Sequence, residues 1–400
     1  MLEFFVAKKE NKCCGCRACE KVCPVNAIVL EPNEEGFLYP VVDSTKCIKC
    51  SRCVNVCPIV NRPTGNCVEN VYAVQIKNEY ELQNSSSGGA FRLLANKIIE
   101  RNGYVVGCVW DEELHPILSV ASSLDDLELM QGSKYLYSDT RDIYSQVKEL
   151  LEKKELVLFT GTPCQCAALL NYLQKKYDNL ITADFLCHGV PSQKAFDAYL
   201  GNIMSKNNIS NLKEKKIEYK FRDKEKFGWG IVSSLGWSIA GKEQKKFYVG
   251  RIDSYDYAFT QGFLNRYSCY DCRFRGASRF TDFTFCDFWG YDDYYSELDQ
   301  TKGVSALAVN SLEGNIFFES CKEDAFVFLV DPKQVAGENP SLLTEEKDNI
   351  PSIRDQIYKE IDRFGWEKVA RKYFRCKHWH LRKLWYMLPN TIKMIIRKVK

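Results

Sequence analysis

The sequence predicts a short α+β module at the N-terminus, a larger α/β domain behind it, and a helical basic tail. Three observations carry this. Eight of the nine cysteines within residues 1–57 fall into two runs of identical spacing, Cys13-x2-Cys16-x2-Cys19-x3-Cys23-Pro24 and Cys47-x2-Cys50-x2-Cys53-x3-Cys57-Pro58. From residue 71 onward, short β-branched runs alternate with segments of helical period, the signature of α/β layering. From Lys368 to Lys400 there are 11 Lys or Arg and no acidic residue.

The cysteine runs define the first element. Bacterial ferredoxins hold two 4Fe–4S clusters with this spacing, three thiolates coming from one tight loop and the fourth from the other run. Cys13, Cys16, Cys19 and Cys57 are therefore expected at one cluster, and Cys47, Cys50, Cys53 and Cys23 at the other. Pro24 and Pro58 turn the chain after each fourth ligand. Cys14 is read as a spare, because only Cys13 keeps both later gaps. Paired CxxC motifs also bind zinc, but two complete four-cysteine runs each closed by Cys-Pro fit zinc poorly. Disulfides fit less well still, given the tight spacing and a start, MLEFFVAKKENK, too short and charged for a signal peptide. Residues 27–31 and 37–42 read as strands around the turn 32–36, completing a ferredoxin-like α+β module over residues 1–60.

Composition sets the frame for the rest. Four hundred residues, 45% hydrophobic and 13% aromatic, imply packed domains rather than disorder. Nineteen cysteines without an export signal imply a reducing cytoplasm. No run of about 18 apolar residues is present to span a membrane. Removing the 11 basic residues of the tail from the net charge of +3 leaves −8 for residues 1–367. The tail mixes those charges with Tyr373, Phe374, Trp379, Trp385, Tyr386 and Ile392. It fits either a peripheral contact at the inner face of the membrane or ordinary helices packed on the body. No nucleic-acid motif accompanies the charge.

Residues 61–70, rich in Asn, Pro and Gly, read as a linker. The core domain is expected over residues 71–340, with strands at 71–76, 104–110, 156–159 and 180–186. Helices are expected at 91–101, 143–154, 164–176 and 194–204, around a largely parallel sheet. Residues 217–250 read as antiparallel strands with glycine turns. The tail, 341–400, reads as helical from 351 and broken at Pro389.

A second set of thiols lies in this core. Cys164 and Cys187 each follow a predicted strand, at the edge where open α/β sheets bind ligands. With Cys269-x2-Cys272 they make four thiolates, enough for a third cluster; small buried hydrophobes are the plain alternative. Ser85-Ser-Ser-Gly-Gly89 and Gly161-Thr162-Pro163 each precede a helix, where N–H groups suit a phosphate or serve simple capping. Lys134 could pair with a phosphate or a flavin ring, or lie on the surface. His188 could move a proton or be structural.

Six motifs occur in order: Ser-Ser-Gly-Gly (86–89), Gly-Ser-Lys-Tyr (132–135), Phe-Thr-Gly-Thr-Pro-Cys-Gln (159–165), Cys-His-Gly-Val-Pro-Ser (187–192), Ser-Cys-Tyr-x-Cys (268–272) and Asp-Phe-Trp-Gly (287–290). Together they resemble the family of coenzyme F(420) hydrogenase/dehydrogenase beta subunits. More narrowly, the chain is similar to the ferredoxin-fused bacterial members often encoded among polysaccharide-biosynthesis genes. The resemblance spans roughly residues 1–330. It implies a flavin-binding α/β core holding FAD, with a 4Fe–4S cluster on Cys164, Cys187, Cys269 and Cys272. It places Ser86, Ser87, Gly88, Gly89 and Lys134 near the flavin; Gly161 and Thr162, by their small-residue helix start, are further candidate cofactor contacts. Cys286 stands where the family pattern leads one to expect Gly, and the basic tail lies outside the shared core.

The functional expectation is an iron–sulfur flavoprotein oxidoreductase. A redox donor, such as ferredoxin or reduced deazaflavin, passes electrons through the clusters to FAD. An organic acceptor then takes them, either a deazaflavin or a sugar or lipid-linked polysaccharide precursor. His188 and Lys134 are the candidate catalytic residues. The competing readings are an electron-transfer subunit with no substrate of its own, and a binding protein whose clusters are structural.

Overall fold

The computed structural model describes residues 12–209, 216–239, 241–290, 295, 297–299 and 301–387. Two strands, β1 (Ile28–Pro32) and β2 (Leu38–Val42), form an antiparallel hairpin in the N-terminal module, Val29 opposite Val41. Each cysteine run ends in one short helical turn, Ala18–Lys21 and Arg52–Asn55. Residues expected as a linker are partly ordered β-structure. β3 (Asn66–Cys67) pairs with β12 (Ser278–Arg279), and Asn66 Nδ2 donates to the Asn310 carbonyl at 2.9 Å. Polar, Gly-rich composition misled here because these pairings are made by residues more than two hundred positions away.

The core is built on β4 (Asn70–Ile76), β5 (Tyr104–Trp110), β6 (Pro116–Ala121), β7 (Val157–Thr160), β8 (Leu180–Phe185), β13 (Phe283–Asp287), β14 (Ser305–Val309) and β15 (Ala325–Val330). They form one eight-stranded sheet in the order β15-β4-β14-β13-β8-β7-β5-β6. β5, β7, β8 and β13 run parallel, while β6, β14, β4 and β15 pair antiparallel at the flanks. The sheet is thus mixed rather than largely parallel. The expectation tracked strand–helix alternation; it missed β6, which returns antiparallel on β5, and the antiparallel pairing of β14 with β13. A separate three-stranded sheet, β9 (Glu218–Lys220), β10 (Val232–Ile239) and β11 (Lys242–Val249), is antiparallel as expected.

Burial explains the layering. All four residues of β7 are buried, as a central strand covered on both faces requires. Helix Ala90–Glu100 buries Leu93, Leu94 and Ile98 against Val105, Leu158 and Leu307 on one face. On the other face helices Ile143–Glu152 and Pro163–Leu173 pack with Val106 and Phe159, and the cluster module adds Ala18 and Val56 to the same core. Module and core therefore share a hydrophobic interior.

The C-terminal helices Arg354–Phe364 and Trp366–Tyr373 bury Ile357, Tyr358, Ile361, Trp366 and Val369 against helix Gln193–Lys206. This is the packed-helix alternative for that part of the tail. Among the described residues the tail's helices break at Gly365, whose φ of 77° favours glycine, and again between Tyr373 and Trp379; Pro389 lies outside the described residues. The last described helix, Trp379–Met387, exposes Leu381 and Leu384. Among the described residues no helix is long and apolar enough to cross a membrane.

Candidate iron–sulfur sites and the adjoining cavity

The module contains two small cavities. One, about 20 Å³, is walled by Cys13, Cys16, Cys19 and Cys57, with Cys14 beside them. The other, about 40 Å³, is walled by Cys23, Cys47, Cys50 and Cys53. Each thus draws three thiols from one run and the fourth from the other. The tight loops need left-handed backbone at Gly15 (φ 74°), Arg17 (φ 60°), Lys49 (φ 57°) and Ser51 (φ 67°). A thiol-lined void of this kind fits an iron–sulfur cluster and would not suit an organic ligand. Cys13, Cys16 and Cys57 are buried, whereas Cys50 is exposed. The first site faces the core and the second faces outward.

Polar contacts hold the first site on the core. Thr140 Oγ1 donates to the Cys16 carbonyl at 3.2 Å, the Tyr137 hydroxyl to the Gly15 carbonyl, and Arg266 Nε to the Cys13 carbonyl at 2.7 Å. Arg17 pairs with Asp139, and Arg354 forks onto Glu35.

The four core cysteines also come together. Cys164 is in the first turn of helix Pro163–Leu173, Cys187 lies two residues past β8, and Cys269 and Cys272 sit at a short helical turn, Tyr267–Tyr270. Cys187 and Cys272 feel one another, as do Cys269 and Cys187. Burial first, then neighbouring thiols, pushes the Cys187 thiol up to about 12 and raises Cys269 further. Four such thiols cannot all ionise unaided. Iron would supply the compensating positive charge, so the donor set fits a cluster. Among the described residues no three His, Cys, Asp or Glu side chains converge on a single-ion position.

Cys14 is not the spare it looked. Its thiol lies beside those of Cys16 in the first site and Cys164 in the core group, and these neighbours hold its pKa well down. Spacing logic missed it because the contact crosses the two parts of the chain. Arg266, visible in the sequence only as one of several arginines near the CxxC pair, was missed for the same reason.

A cavity of about 310 Å³ opens at the carboxyl ends of β5, β7, β8 and β13. Its wall includes Ser85–Ser87, Lys134, Gly161, Thr162, Cys187, His188, Arg222 and Trp289. The N-terminus of helix Ala90–Glu100 points here, and its first N–H groups have no acceptor within the helix. Gly161 and Thr162 behave differently from the phosphate-binding expectation. Gly161 N donates to the Ala183 carbonyl and Thr162 N to Gln165 Oε1, a capping box in front of Pro163. Both N–H groups are engaged internally.

The Ser-Ser-Gly-Gly turn divides its roles. Ser86 Oγ accepts from Ser133 N at 2.7 Å, and Ser87 Oγ donates to the Val304 carbonyl at 2.7 Å. A Cβ on Gly88 would overlap the Val74 carbonyl and Ser305 N, so that glycine serves close backbone packing. Gly89, at φ 85°, caps the helix.

Lys134 is partly buried rather than a free surface group. Its Nζ lies 3.2–3.3 Å from the carbonyls of Leu129, Met130, Gln131 and Gly132 and shares its three N–H groups among them, capping the C-terminus of helix Leu124–Met130. Desolvation lowers its pKa. His188 stands at the cavity wall, where desolvation holds its pKa below the ordinary value and keeps the ring neutral near pH 7. Arg222, unremarked in the sequence, is buried with Nη1 on Asp287 and Tyr135 and with Nη2 lacking a partner. Its guanidinium lies 5.2 Å from the Trp289 ring, which stacks on Trp229 at 3.9 Å.

Residues 12–60 match the model of a 4Fe-4S dicluster domain, and residues 154–335 match that of the C terminus of the coenzyme F420 hydrogenase/dehydrogenase beta subunit. The chain resembles the F420 hydrogenase/dehydrogenase beta subunits. It is 26% identical over 173 residues to the F subunit of F(420)H(2) dehydrogenase from Methanosarcina mazei, covering 40% of this chain and 48% of that protein. The beta-subunit-like chain thus spans about half the length of the curated relative it matches. A chain of the F420-reducing [NiFe] hydrogenase complex from Methanosarcina barkeri aligns over 72% of this chain and 97% of its own. That alignment has 16% identity and a TM-score of 0.42, too low to establish a shared fold. The beta-subunit-like chain therefore combines a 4Fe–4S dicluster domain with an α/β core on a mixed sheet, and the resemblance read from its motifs holds.

Proposed function

We propose that this chain is an iron–sulfur flavoprotein oxidoreductase that conducts electrons from a low-potential donor through three 4Fe–4S clusters to FAD and an organic acceptor. One observation carries the reading: Cys187 belongs both to the core thiol group and to the wall of the 310 Å³ cavity. A ligand in the cavity lies against a candidate cluster ligand. The outward second site is the inlet, the buried first site the middle, and the core thiols the end of the wire.

FAD in the cavity would convert single-electron steps to two-electron chemistry. The chain's own residues prepare the place. The N-terminus of helix Ala90–Glu100 and the free Nη2 of Arg222 offer positive potential to an anionic group. Neutral His188 can accept a proton at the cavity wall. Trp289, backed by Trp229, gives a flat aromatic surface. Lys134 orients the Gly132–Tyr135 segment through its helix cap and is a positioning residue in this reading.

A deazaflavin is the favoured acceptor, because the curated relative is a subunit of F(420)H(2) dehydrogenase. A lipid-linked sugar precursor is the second acceptor class, supported by exposed Leu381 and Leu384 beside Lys377 and Lys383 on the basic tail. The relative's being a dehydrogenase subunit supports the other reading, an electron-transfer subunit within a complex.

Anaerobic purification with iron, sulfide and flavin analysis tests the proposal. About twelve irons and one FAD per chain are expected from three cubanes. About eight irons and no flavin would remove the core site. Turnover of a deazaflavin by the isolated chain with a reduced viologen separates enzyme from conduit.

A further inference from the structure

Arg266 is fully buried, yet among the described residues no carboxylate pairs with it. Its Nε and Nη2 donate to the carbonyls of Cys13 and Leu38 in the cluster module. Its backbone belongs to the core: Arg266 N donates to the Val190 carbonyl, and the Arg266 carbonyl accepts from Cys269 N at 3.0 Å. Tyr39 stacks on the guanidinium at 4.2 Å. The remaining nitrogen, Nη1, has no hydrogen-bond partner. It lies against Gly15, where an added Cβ would come within 2.7 Å of it. The ionisable groups that act most on this cation are the Tyr39 and Tyr137 hydroxyls and the thiols of Cys13 and Cys14, and the cation acts in turn on the Cys269 thiol of the core group.

An isolated buried guanidinium is costly unless a negative charge compensates it. Here the nearest source of such charge is the thiolate set of the first site. A one-electron reduction there adds one more negative charge, and a fixed cation in a low-dielectric setting stabilises that state.

We propose that Arg266 is the built-in counter-charge of the first iron–sulfur site, raising its midpoint potential and fixing its position against the core thiol group. It is a positioning and tuning residue, since its hydrogen bonds go to the backbone carbonyls of Cys13 and Leu38 and not to a ligand thiol. The inference rests on the cluster reading above.

The test is an EPR-monitored redox titration of the full chain, as wild type, Arg266→Gln and Arg266→Lys, with iron counted in each. The expected result is a lower midpoint for at least one cluster in R266Q, with R266K near wild type. The second, outward cluster is the internal control, because none of its ligand-loop residues is among the partners of Arg266. Iron lost in R266Q and kept in R266K also supports the inference, since then the charge itself is needed to assemble the site. An iron-replete R266Q with unshifted midpoints overturns it, and so does equal iron loss in both variants. A wild-type chain devoid of iron would instead sink the cluster reading, and this inference with it.

Discussion

Arg222 Nη1 donates to Asp287 Oδ2 at 2.6 Å beneath the Trp289 ring, joining the antiparallel β9–β11 unit to the carboxyl end of β13. The pair closes one side of the large cavity. The arginine side chain is 3% exposed and the aspartate 20%, so the contact is more than a surface ion pair.

Asp287→Asn leaves Arg222 charged, buried and short of its carboxylate. A loss of roughly 3–5 kcal/mol in unfolding free energy is expected, as when one partner of a buried pair is removed. Denaturant melts of the two proteins measure it, and a loss under about 1 kcal/mol would mean that the pair is effectively solvated.

Lys224 gives a pH signature. Burial, with the Arg222 charge adding, lowers its pKa to about 7, and its Nζ donates to the carbonyls of Leu82 and Ser87 at 2.8 and 2.7 Å. A neutral amine has the two N–H groups these acceptors need. The unfolded lysine holds its extra proton up to about pH 10.4. Between the folded and unfolded values the unfolded state binds more protons, so this contribution makes stability rise with pH. The wild-type minus Lys224→Met difference in stability should grow from near pH 7 towards pH 10; a flat difference contradicts it.

Cys269→Ser should remove about four irons per chain while leaving the module's share in place. Iron and sulfide analysis reads this directly. Loss of all iron would show that the three sites assemble as one unit.

Lys134→Met strips the C-terminal carbonyls of helix Leu124–Met130 of their cation. We expect a loss of about 1–2 kcal/mol in stability. Flavin, where bound, should be retained in the cold. Loss of flavin with unchanged stability would restore Lys134 to direct cofactor contact.

Gly88→Ala forces a Cβ into the Val74 carbonyl and Ser305 N, both backbone atoms that cannot swing aside. The expected penalty is about 1–3 kcal/mol, the range of core overpacking. A thermal melt as high as wild type would mean that β4 and β14 can separate at no cost.

Much of this chain could be read from local pattern. The cysteine spacing divides the eight module thiols into two sets of four, three from one run and one from the other, and the two cavities are lined by those same sets. Thr162-Pro163-x-Gln165 announces a helix start because capping chemistry is local. Periodicity found β5 and the helices beside it because burial repeats along each element. Other features involve partners far apart in sequence. The strand directions of the sheet flanks, the β3–β12 pairing, the Cys14–Cys164 contact, the internal engagement of the Gly161 and Thr162 N–H groups, and the burial of Arg222 and Arg266 are of this kind. Residue type and spacing determined which atoms can bind iron and where helices begin. Only tertiary packing decided which charges lose water and which thiols of the module and the core lie side by side, because desolvation and contact are properties of neighbours in space.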